Sequence, residues 1–215
     1  MIRRRVAILI SGRGSNMVSL IEAASAADFP AQIALVLSNR PDAAGLKRAR
    51  QAGIATAVVD HKAHPTREDF ERAVDAELAS HHIAFICLAG FMRVLTDGFV
   101  ERWTGRMINI HPSLLPLYRG TQTHRRALED GVLVHGCTVH FVVPELDAGP
   151  IIAQAAVPVV PGDTAESLAA RVIVQEHLLY PKALRMICDG TARLDGGRVV
   201  FSRGWDASGA LHSPS

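Results

Sequence analysis

The chain has 215 residues, of which 48% are apolar and 20% are charged. This composition is typical of a globular domain and excludes a mainly disordered, collagen-like or disulfide-scaffold protein. The formal net charge is +2, which gives no reason to expect a broad surface for nucleic acid or membrane. Cys87, Cys137 and Cys188 form no CxxC pair, so neither a zinc knuckle nor a disulfide framework is indicated and a reducing compartment is favoured.

The amino terminus combines a basic run with a short apolar run. Met1–Arg5 is basic, and Val6–Ile10 is apolar but only five residues long. A secretory signal needs a longer apolar core and a cleavage pattern, so the apolar run is interpreted as a buried strand. No stretch approaches the roughly eighteen apolar residues of a membrane-spanning helix. We therefore expect a cytoplasmic protein that does not bind a membrane.

The first half of the chain alternates apolar runs with amphipathic stretches. The apolar runs predict strands at Val6–Ile10, Ile33–Leu37, Ala55–Val59, Ile83–Leu88 and Met107–Ile110. The stretches between them predict helices at about Asn16–Ala27, Asp42–Ala52, Arg67–Ser80 and Thr96–Arg102. Because strands that are apolar on both faces alternate with helices, we expect an α/β fold with a mostly parallel, Rossmann-like sheet flanked by helices.

Local signals mark where these helices begin and end. Ser15 or Asn16 is expected to cap the first helix through its side-chain oxygen, and Thr66 is expected to cap the third. Gly53 is expected to end the second helix, since glycine readily adopts the left-handed conformation found after a helix.

The second half has a different texture. It predicts a loop at 113–120, a helix at Thr123–Asp130, strands at Gly136–Val143 and Ile151–Val159, and a long helix at Ala165–Asp189 that Pro181 can kink. The short connection between the two strands favours an antiparallel pair added to the sheet. A small hairpin is predicted around Gly196-Gly197. We expect a single domain over residues 1–201, followed by a flexible tail at 202–215.

A turn rich in glycine and serine, Ser11–Asn16, joins the first strand to the first helix. Such a turn presents backbone N–H groups at the positive end of a helix, which suits a phosphate. The Walker pattern is absent, and the dinucleotide pattern is incomplete because Met17 stands at its third glycine position. A single phosphate is therefore favoured over a dinucleotide, while a tight turn without a ligand explains the motif equally well.

Two polar side chains stand at the end of the fifth predicted strand. Asn109 and His111 are two residues apart, so they point to the same face, and Pro112 ends the strand. An imidazole titrates near neutral pH, and an amide is a neutral donor for a developing oxyanion. A core histidine beside a turn asparagine is the alternative interpretation.

A third candidate lies in the loop Glu145–Pro150. Its Asp147 is either a turn former or, if the loop folds over the fifth strand, the acid that orients His111.

Four segments occur in a characteristic order: Ser11–Asn16, Gly90–Leu95, Asn109–Pro116 and Leu146–Pro150. In this order they resemble the formyltransferases that use formyltetrahydrofolate, and the resemblance extends from about residue 6 to residue 190. The resemblance implies transfer of a formyl group from 10-formyltetrahydrofolate, as co-substrate, to the glycinamide amine of a phosphoribosyl substrate in purine biosynthesis. It implies no metal and no covalent nucleophile.

The resemblance also implies a role for each matching residue. The catalytic matches are Asn109, His111 and Asp147; the matches to the phosphoribosyl site are Gly14, Ser15, Asn16 and Glu176; the matches to the folate site are Arg67, Met92, Arg93, Val94, Leu95 and Asn109. Asn109 and protonated His111 are expected to hold the oxygen of a tetrahedral intermediate, and Asp147 is expected to favour the charged form of His111. Ala148 and Gln122 depart from the residues that are frequent in the family.

Other members and other classes remain as alternatives. The tRNA formyltransferases resemble longer chains with a basic carboxy-terminal domain, and about 26 residues after Asp189 give no reason to expect a nucleic-acid partner. The related deformylases resemble chains with an additional amino-terminal domain, which we do not expect here because the first predicted strand begins at about residue 6. An NADP-binding module using Gly12, Gly14 and Arg40 and a non-catalytic binding module are the alternatives outside the superfamily. A monomer and a homodimer both remain open.

Overall fold

The computed structural model describes residues 3–202 and Gly204. Nine strands are described: β1 (Arg4–Ile10), β2 (Ala31–Ser38), β3 (Thr56–Val58), β4 (Phe85–Leu88), β5 (Met107–His111), β6 (Val134–Phe141), β7 (Ile151–Pro158), β8 (Ala192–Asp195) and β9 (Arg198–Phe201). Six α-helices are described: α1 (Ser15–Ala24), α2 (Ala44–Gln51), α3 (Arg67–Ser80), α4 (Asp97–Arg102), α5 (Thr123–Glu129) and α6 (Ala165–Cys188). The proposed tail at 202–215 lies, apart from Ser202 and Gly204, outside the described residues.

Seven strands form one sheet in the order β3-β2-β1-β4-β5-β6-β7. The pairs from β3 to β5 are parallel, whereas β6 is antiparallel to both β5 and β7. Strands β8 and β9 form a separate antiparallel hairpin whose turn contains Gly196 and Gly197. The expected α/β class, with a mostly parallel sheet and an added antiparallel pair, is confirmed.

Alternate residues of the central strands enter two separate cores. In β1, Ile8 packs into the core that α1 and α6 cover, whereas Leu9 packs into the core that α3 and α4 cover. Both residues are completely buried, as expected for a parallel strand with helices on both faces. Tyr180 of α6 ties this helix to the sheet, since its hydroxyl donates to the carbonyls of Leu88 and Ile108 at 3.0 and 3.1 Å.

Most element bounds agree with the predictions, and the differences have local causes. The cap of α1 is Gly14, in the left-handed conformation at φ 69°, and no side chain caps this helix; the prediction of Ser15 or Asn16 was wrong because both lie inside the first turn. Thr66 caps α3 as predicted, accepting from the Asp69 N–H at 3.0 Å. Helix α6 contains Pro181 and extends beyond it to Cys188.

The strand order reverses direction at the centre of the sheet, where β1 lies between β2 and β4. In open α/β sheets, ligands bind in the crevice at the carboxyl ends of the strands at such a switch point. The turn after β1 and the loop after β4 therefore flank the expected binding crevice. Among the described residues, no helix is long and apolar enough to cross a membrane.

Candidate active site

The turn between β1 and α1 lines a cavity of about 580 Å³. Its glycine at position 14 has φ +69°, and a Cβ there would lie 3.2 Å from the Met17 side chain, so glycine suits this position. Ser15 and Asn16 follow at the start of α1 and line the same cavity. The amino end of a ten-residue helix thus opens onto this cavity with its unpaired N–H groups.

A buried carboxylate from the other end of the chain meets this turn. The side-chain amide of Asn16 donates to Oε2 of Glu176 at 2.7 Å, although 160 residues separate the two in sequence. Burial raises the pKa of Glu176, and the Asn16 hydrogen bond acts in the opposite direction. Two residues that the resemblance assigned to one site are thus in direct contact.

The loop between β4 and α4, residues 89–96, separates two cavities. Met92 and Arg93 line the cavity of the glycine turn. Val94 and Leu95 line a second cavity of about 1060 Å³, which Arg67 also lines from the start of α3. Met92 and Val94 are exposed at 75% and 62%, so the backbone of this loop carries two large apolar side chains toward solvent.

Asn109 and His111 lie on the same face of β5, as their spacing predicts. His111 is 5% exposed, and its Nε2 lies 2.9 Å from the carbonyl oxygen of Tyr118. Its Nδ1 lies 3.4 Å from Oδ2 of Asp147. Both ring nitrogens therefore face oxygen atoms that can accept hydrogen bonds.

Asp147 reaches His111 because its loop folds back over the sheet. The residue itself has φ +50°, and a Cβ on the nearby Gly149 would lie 1.7 Å from the carbonyl oxygen of Phe141. Glycine at 149 is thus required for the close packing of this loop on β6. Oδ2 of Asp147 also accepts the backbone N–H of Gly120 at 2.8 Å, so this carboxylate links two loops at the imidazole.

His140 is a member of this cluster that the sequence analysis did not assign to it. It pairs with Asn109 in the antiparallel register of β5 and β6, and its Nε2 lies 3.2 Å from the Asn109 side-chain nitrogen and 3.8 Å from Oδ1 of Asp147. Burial lowers the pKa of His140. A neutral His140 therefore donates from Nδ1 to the Phe141 carbonyl at 2.9 Å and accepts from Asn109 through Nε2, which fixes the orientation of the Asn109 amide.

Two further histidines pack beside this cluster. The rings of His124 and His135 meet edge to face with centroids 5.3 Å apart. Burial, with smaller effects of neighbouring histidines, lowers the pKa of His135 to about 4 and lowers that of His124 as well. Both side chains are therefore uncharged at neutral pH. Among the residues that the structure describes, no group of three or more His, Cys, Asp or Glu side chains is arranged to hold a metal ion.

The candidate residues thus fall into three groups. The first group lines the cavity at the glycine turn, and Glu176 joins it through Asn16. The second group lines the larger cavity and comprises Arg67, Val94 and Leu95. The third group, Asn109, His111 and Asp147, lies at the end of β5 and, within the described part of the chain, lines neither of these two cavities.

The mostly parallel, Rossmann-like sheet with its added antiparallel pair agrees with what comparison with known proteins finds. The chain belongs to the formyl transferase family, whose pattern it matches over residues 4–184. It is similar to phosphoribosylglycinamide formyltransferase of Escherichia coli K12, with 46% identity over 201 residues that cover 90% of this chain and 95% of that protein.

Two further relatives are informative about length and fold. The trifunctional purine biosynthetic protein adenosine-3 of Homo sapiens is 48% identical over 200 residues, which cover 93% of this chain but 20% of that protein, so the chain spans about a fifth of this relative. The crystal structure of glycinamide ribonucleotide transformylase 1 from Symbiobacterium toebii superposes with a TM-score of 0.89 at 43% identity, covering 93% of this chain and 94% of that one.

Proposed function

We propose that this protein transfers a formyl group from 10-formyltetrahydrofolate to the glycinamide amine of phosphoribosylglycinamide in purine biosynthesis. Membership of the formyl transferase family supports the reaction class, and the named relatives support the acceptor. The observation that carries the proposal is the convergence of Asn109, His111 and Asp147, with His111 Nδ1 at 3.4 Å from the carboxylate.

The proposed chemistry begins when the acceptor amine attacks the formyl carbon. The carbon becomes tetrahedral and its oxygen acquires negative charge. The Asn109 amide and a protonated His111 are donors suited to this oxygen, and removal of one such donor typically raises a barrier by about 3–4 kcal/mol. Because His140 holds one side of the Asn109 amide, the remaining N–H is available to the substrate.

The tetrahedral carbon then collapses with cleavage of its bond to the folate nitrogen, and His111 is the proposed donor of the proton that this departing nitrogen takes, directly or through water. The attacking amine nitrogen gives up one proton in the same sequence, and that proton restores the protonated imidazole. Its Nε2 points at the Tyr118 carbonyl, and we propose that an oxygen or nitrogen of the substrate takes the place of this carbonyl during the reaction. Asp147 stabilises the imidazolium that the step requires, and its second contact, with the Gly120 N–H, keeps the carboxylate in place.

The two substrates are proposed to occupy opposite sides of the loop at 89–96. The phosphoribosyl phosphate binds at Gly14, Ser15 and Asn16, with Glu176 on the side of the same substrate. The folate is proposed to lie along the loop toward the larger cavity, which Val94 and Leu95 line. Met92 and Arg93, which line the glycine-turn cavity, are proposed to contribute backbone groups to the same folate, with Asn109 close to the reacting formyl group. Arg67, an exposed cation on the larger cavity, suits the carboxylates of the folate tail.

The experiment measures release of tetrahydrofolate from 10-formyltetrahydrofolate by the purified protein with three acceptors. We expect release with phosphoribosylglycinamide and none above background with initiator tRNA or with water alone. Release that needs no acceptor indicates a deformylase, and release with tRNA alone indicates a tRNA formyltransferase; either result contradicts the proposal. Cytoplasmic location is part of the proposal, because both substrates are small soluble metabolites.

A further inference from the structure

A buried hydroxyl joins the two segments that are assigned to different substrates. Ser11 is the first residue after β1 and opens the glycine turn, and it is 7% exposed. Its backbone N–H donates to the Gly90 carbonyl at 3.1 Å, and its side-chain oxygen accepts the Met92 N–H at 2.8 Å. The first residue of the phosphate turn is therefore bonded twice to the start of the loop at 89–96.

The orientation of this hydroxyl is fixed by a neighbour that is also buried. Ser11 Oγ donates to Oδ1 of Asn39 at 2.6 Å, and Asn39 is 2% exposed at the end of β2. Because the hydroxyl proton is used for Asn39, the lone pairs of the oxygen remain for the Met92 N–H. The Asn39 side-chain nitrogen lies in turn 3.3 Å from His61 Nδ1. A movement of the loop at Met92 must consequently disturb a buried, connected set of hydrogen bonds.

The opposite end of the same loop is held independently. Glu71 of α3 is 2% exposed and accepts the Thr96 N–H at 2.7 Å through Oε1, while Oε2 contacts the Thr96 hydroxyl. This anchor belongs to α3 and α4, and among the described residues it has no hydrogen bond to the glycine turn. The loop thus has one anchor that reaches the phosphate turn and one that does not.

We propose that Ser11 is a positioning residue that couples the two substrate sites: binding at the glycine turn orders the loop at 89–96 through the Ser11 hydroxyl, and binding at the loop orders the turn. The inference rests on the proposed function, because it takes the turn and the loop as sites for two different ligands. Both segments line one cavity of about 580 Å³, so a ligand at the turn lies against the anchor itself. Coupling of this kind is reciprocal, and each ligand must tighten binding of the other by the same factor.

The test is a calorimetric titration of the full chain with tetrahydrofolate, in the absence and in the presence of saturating phosphoribosylglycinamide. This pair carries no formyl group, so no reaction occurs. The coupling factor is the ratio of the two dissociation constants for tetrahydrofolate. For the unaltered protein we expect a factor of at least about five, which is the lower end of typical allosteric coupling. For Ser11→Ala we expect a factor within about twofold of one.

Three variants make the result specific. Ser11→Cys keeps the size of the side chain but offers a weak acceptor, so it is expected to lose the coupling as Ser11→Ala does. Glu71→Gln weakens the other anchor and is expected to weaken tetrahydrofolate binding while the coupling factor is kept. Ser38→Ala removes a buried hydroxyl at the end of β2. Within the part of the chain that the structure describes, this hydroxyl bonds to the backbone carbonyl and N–H of Arg40 and to no other group, so we expect Ser38→Ala to keep both dissociation constants.

The outcomes separate this inference from the proposed function. A coupling factor of one in the unaltered protein, or a factor that persists in folded Ser11→Ala and Ser11→Cys, overturns the role of Ser11 even if formyl transfer is observed. Loss of the coupling factor in Glu71→Gln or in Ser38→Ala likewise overturns the role of Ser11, since the loss then reflects a general destabilisation of the fold around the two sites. Failure of either ligand to bind the unaltered protein overturns the proposed function, and the inference with it.

Discussion

Replacement of Asp147 by asparagine is the perturbation that isolates the charge at His111. The two side chains are nearly isosteric, and the amide oxygen of asparagine can still accept the Gly120 N–H that Asp147 accepts at 2.8 Å. The substitution therefore leaves the loop contact in place and removes the negative charge 3.4 Å from His111 Nδ1. We expect Asp147→Asn to fold normally and to lose activity.

The size of the loss follows from the distance and the burial of the pair. The side chains of His111 and Asp147 are 6% and 8% exposed, so water screens them little. At 3.4 Å and an effective dielectric constant of about 20, two unit charges attract by about 5 kcal/mol. The asparagine oxygen retains part of this attraction, so we expect a loss of about 3–5 kcal/mol in transition-state stabilisation, or about 10²- to 10⁴-fold in kcat/KM.

The assay is steady-state formyl transfer to phosphoribosylglycinamide, with urea unfolding of the same preparations as the check on folding. Glu145→Gln is the matched control, because Glu145 lies in the same loop and its ion pair with Arg119 is exposed; we expect its kcat/KM to stay within about twofold. If Asp147→Asn retains near-normal kcat/KM, or if Glu145→Gln loses as much, the argument from charge at His111 is refuted.

The remaining predictions concern packing, substrate binding and pH. Gly149→Ala brings a Cβ to 1.7 Å from the Phe141 carbonyl, so the loop must shift; we expect about 1–3 kcal/mol less stability in urea and reduced kcat/KM, and full stability would contradict the close packing. Glu176→Gln is expected to raise the KM for phosphoribosylglycinamide with little change in the KM for folate; equal changes in both would contradict its assignment. Because burial raises the pKa of Glu176 above its ordinary value of 4.5, this side chain favours the folded state most below about pH 4.5 and less as pH rises through the folded pKa. The stability of Glu176→Gln relative to the unaltered protein should therefore increase from pH 4 to pH 8, and a difference that stays constant would refute this. Asp163 behaves in the opposite way, since its hydrogen bonds with Arg171 hold its pKa well below the ordinary range. Urea unfolding should show Asp163→Asn to be less stable than the unaltered protein at pH 7, and the difference in unfolding free energy should narrow as pH falls below about 4. A difference that widens in acid would show the sign to be wrong.

The sheet was predictable because its signal is local. Runs such as Val6–Ile10 are apolar on both faces, and a strand of that kind is buried on both sides wherever it stands in the sheet. The cap of α1 was not predictable in the same way. Serine is a residue type that commonly caps helices, which favoured Ser15 as the cap. Gly14 instead adopts the left-handed conformation and α1 begins directly after it, so Ser15 lies inside the helix.

The site was predictable only where residues on one strand share a face. Asn109 and His111 are such a pair. The contact between Asn16 and Glu176 joins residues 160 positions apart, and no rule of sequence spacing predicts it. The two residues were assigned to the same site from the resemblance to the family. The contact of His140 with Asn109 was not predictable, because it depends on the antiparallel register of β5 and β6, which strand patterns do not fix. The contact of Asp147 with His111 depends on the backbone conformation at residues 147 and 149. The residue types at these positions are compatible with that conformation but do not require it.

The most direct test of the account follows the formyl carbon itself. The protein is mixed with 10-formyltetrahydrofolate labelled with ¹³C in the formyl group and with phosphoribosylglycinamide, and the label is located by NMR. We expect the label to move to the glycinamide nitrogen as an N-formyl group, at a rate that falls with Asp147→Asn. Label recovered as free formate, or label that reaches the acceptor equally fast in that variant, would contradict it.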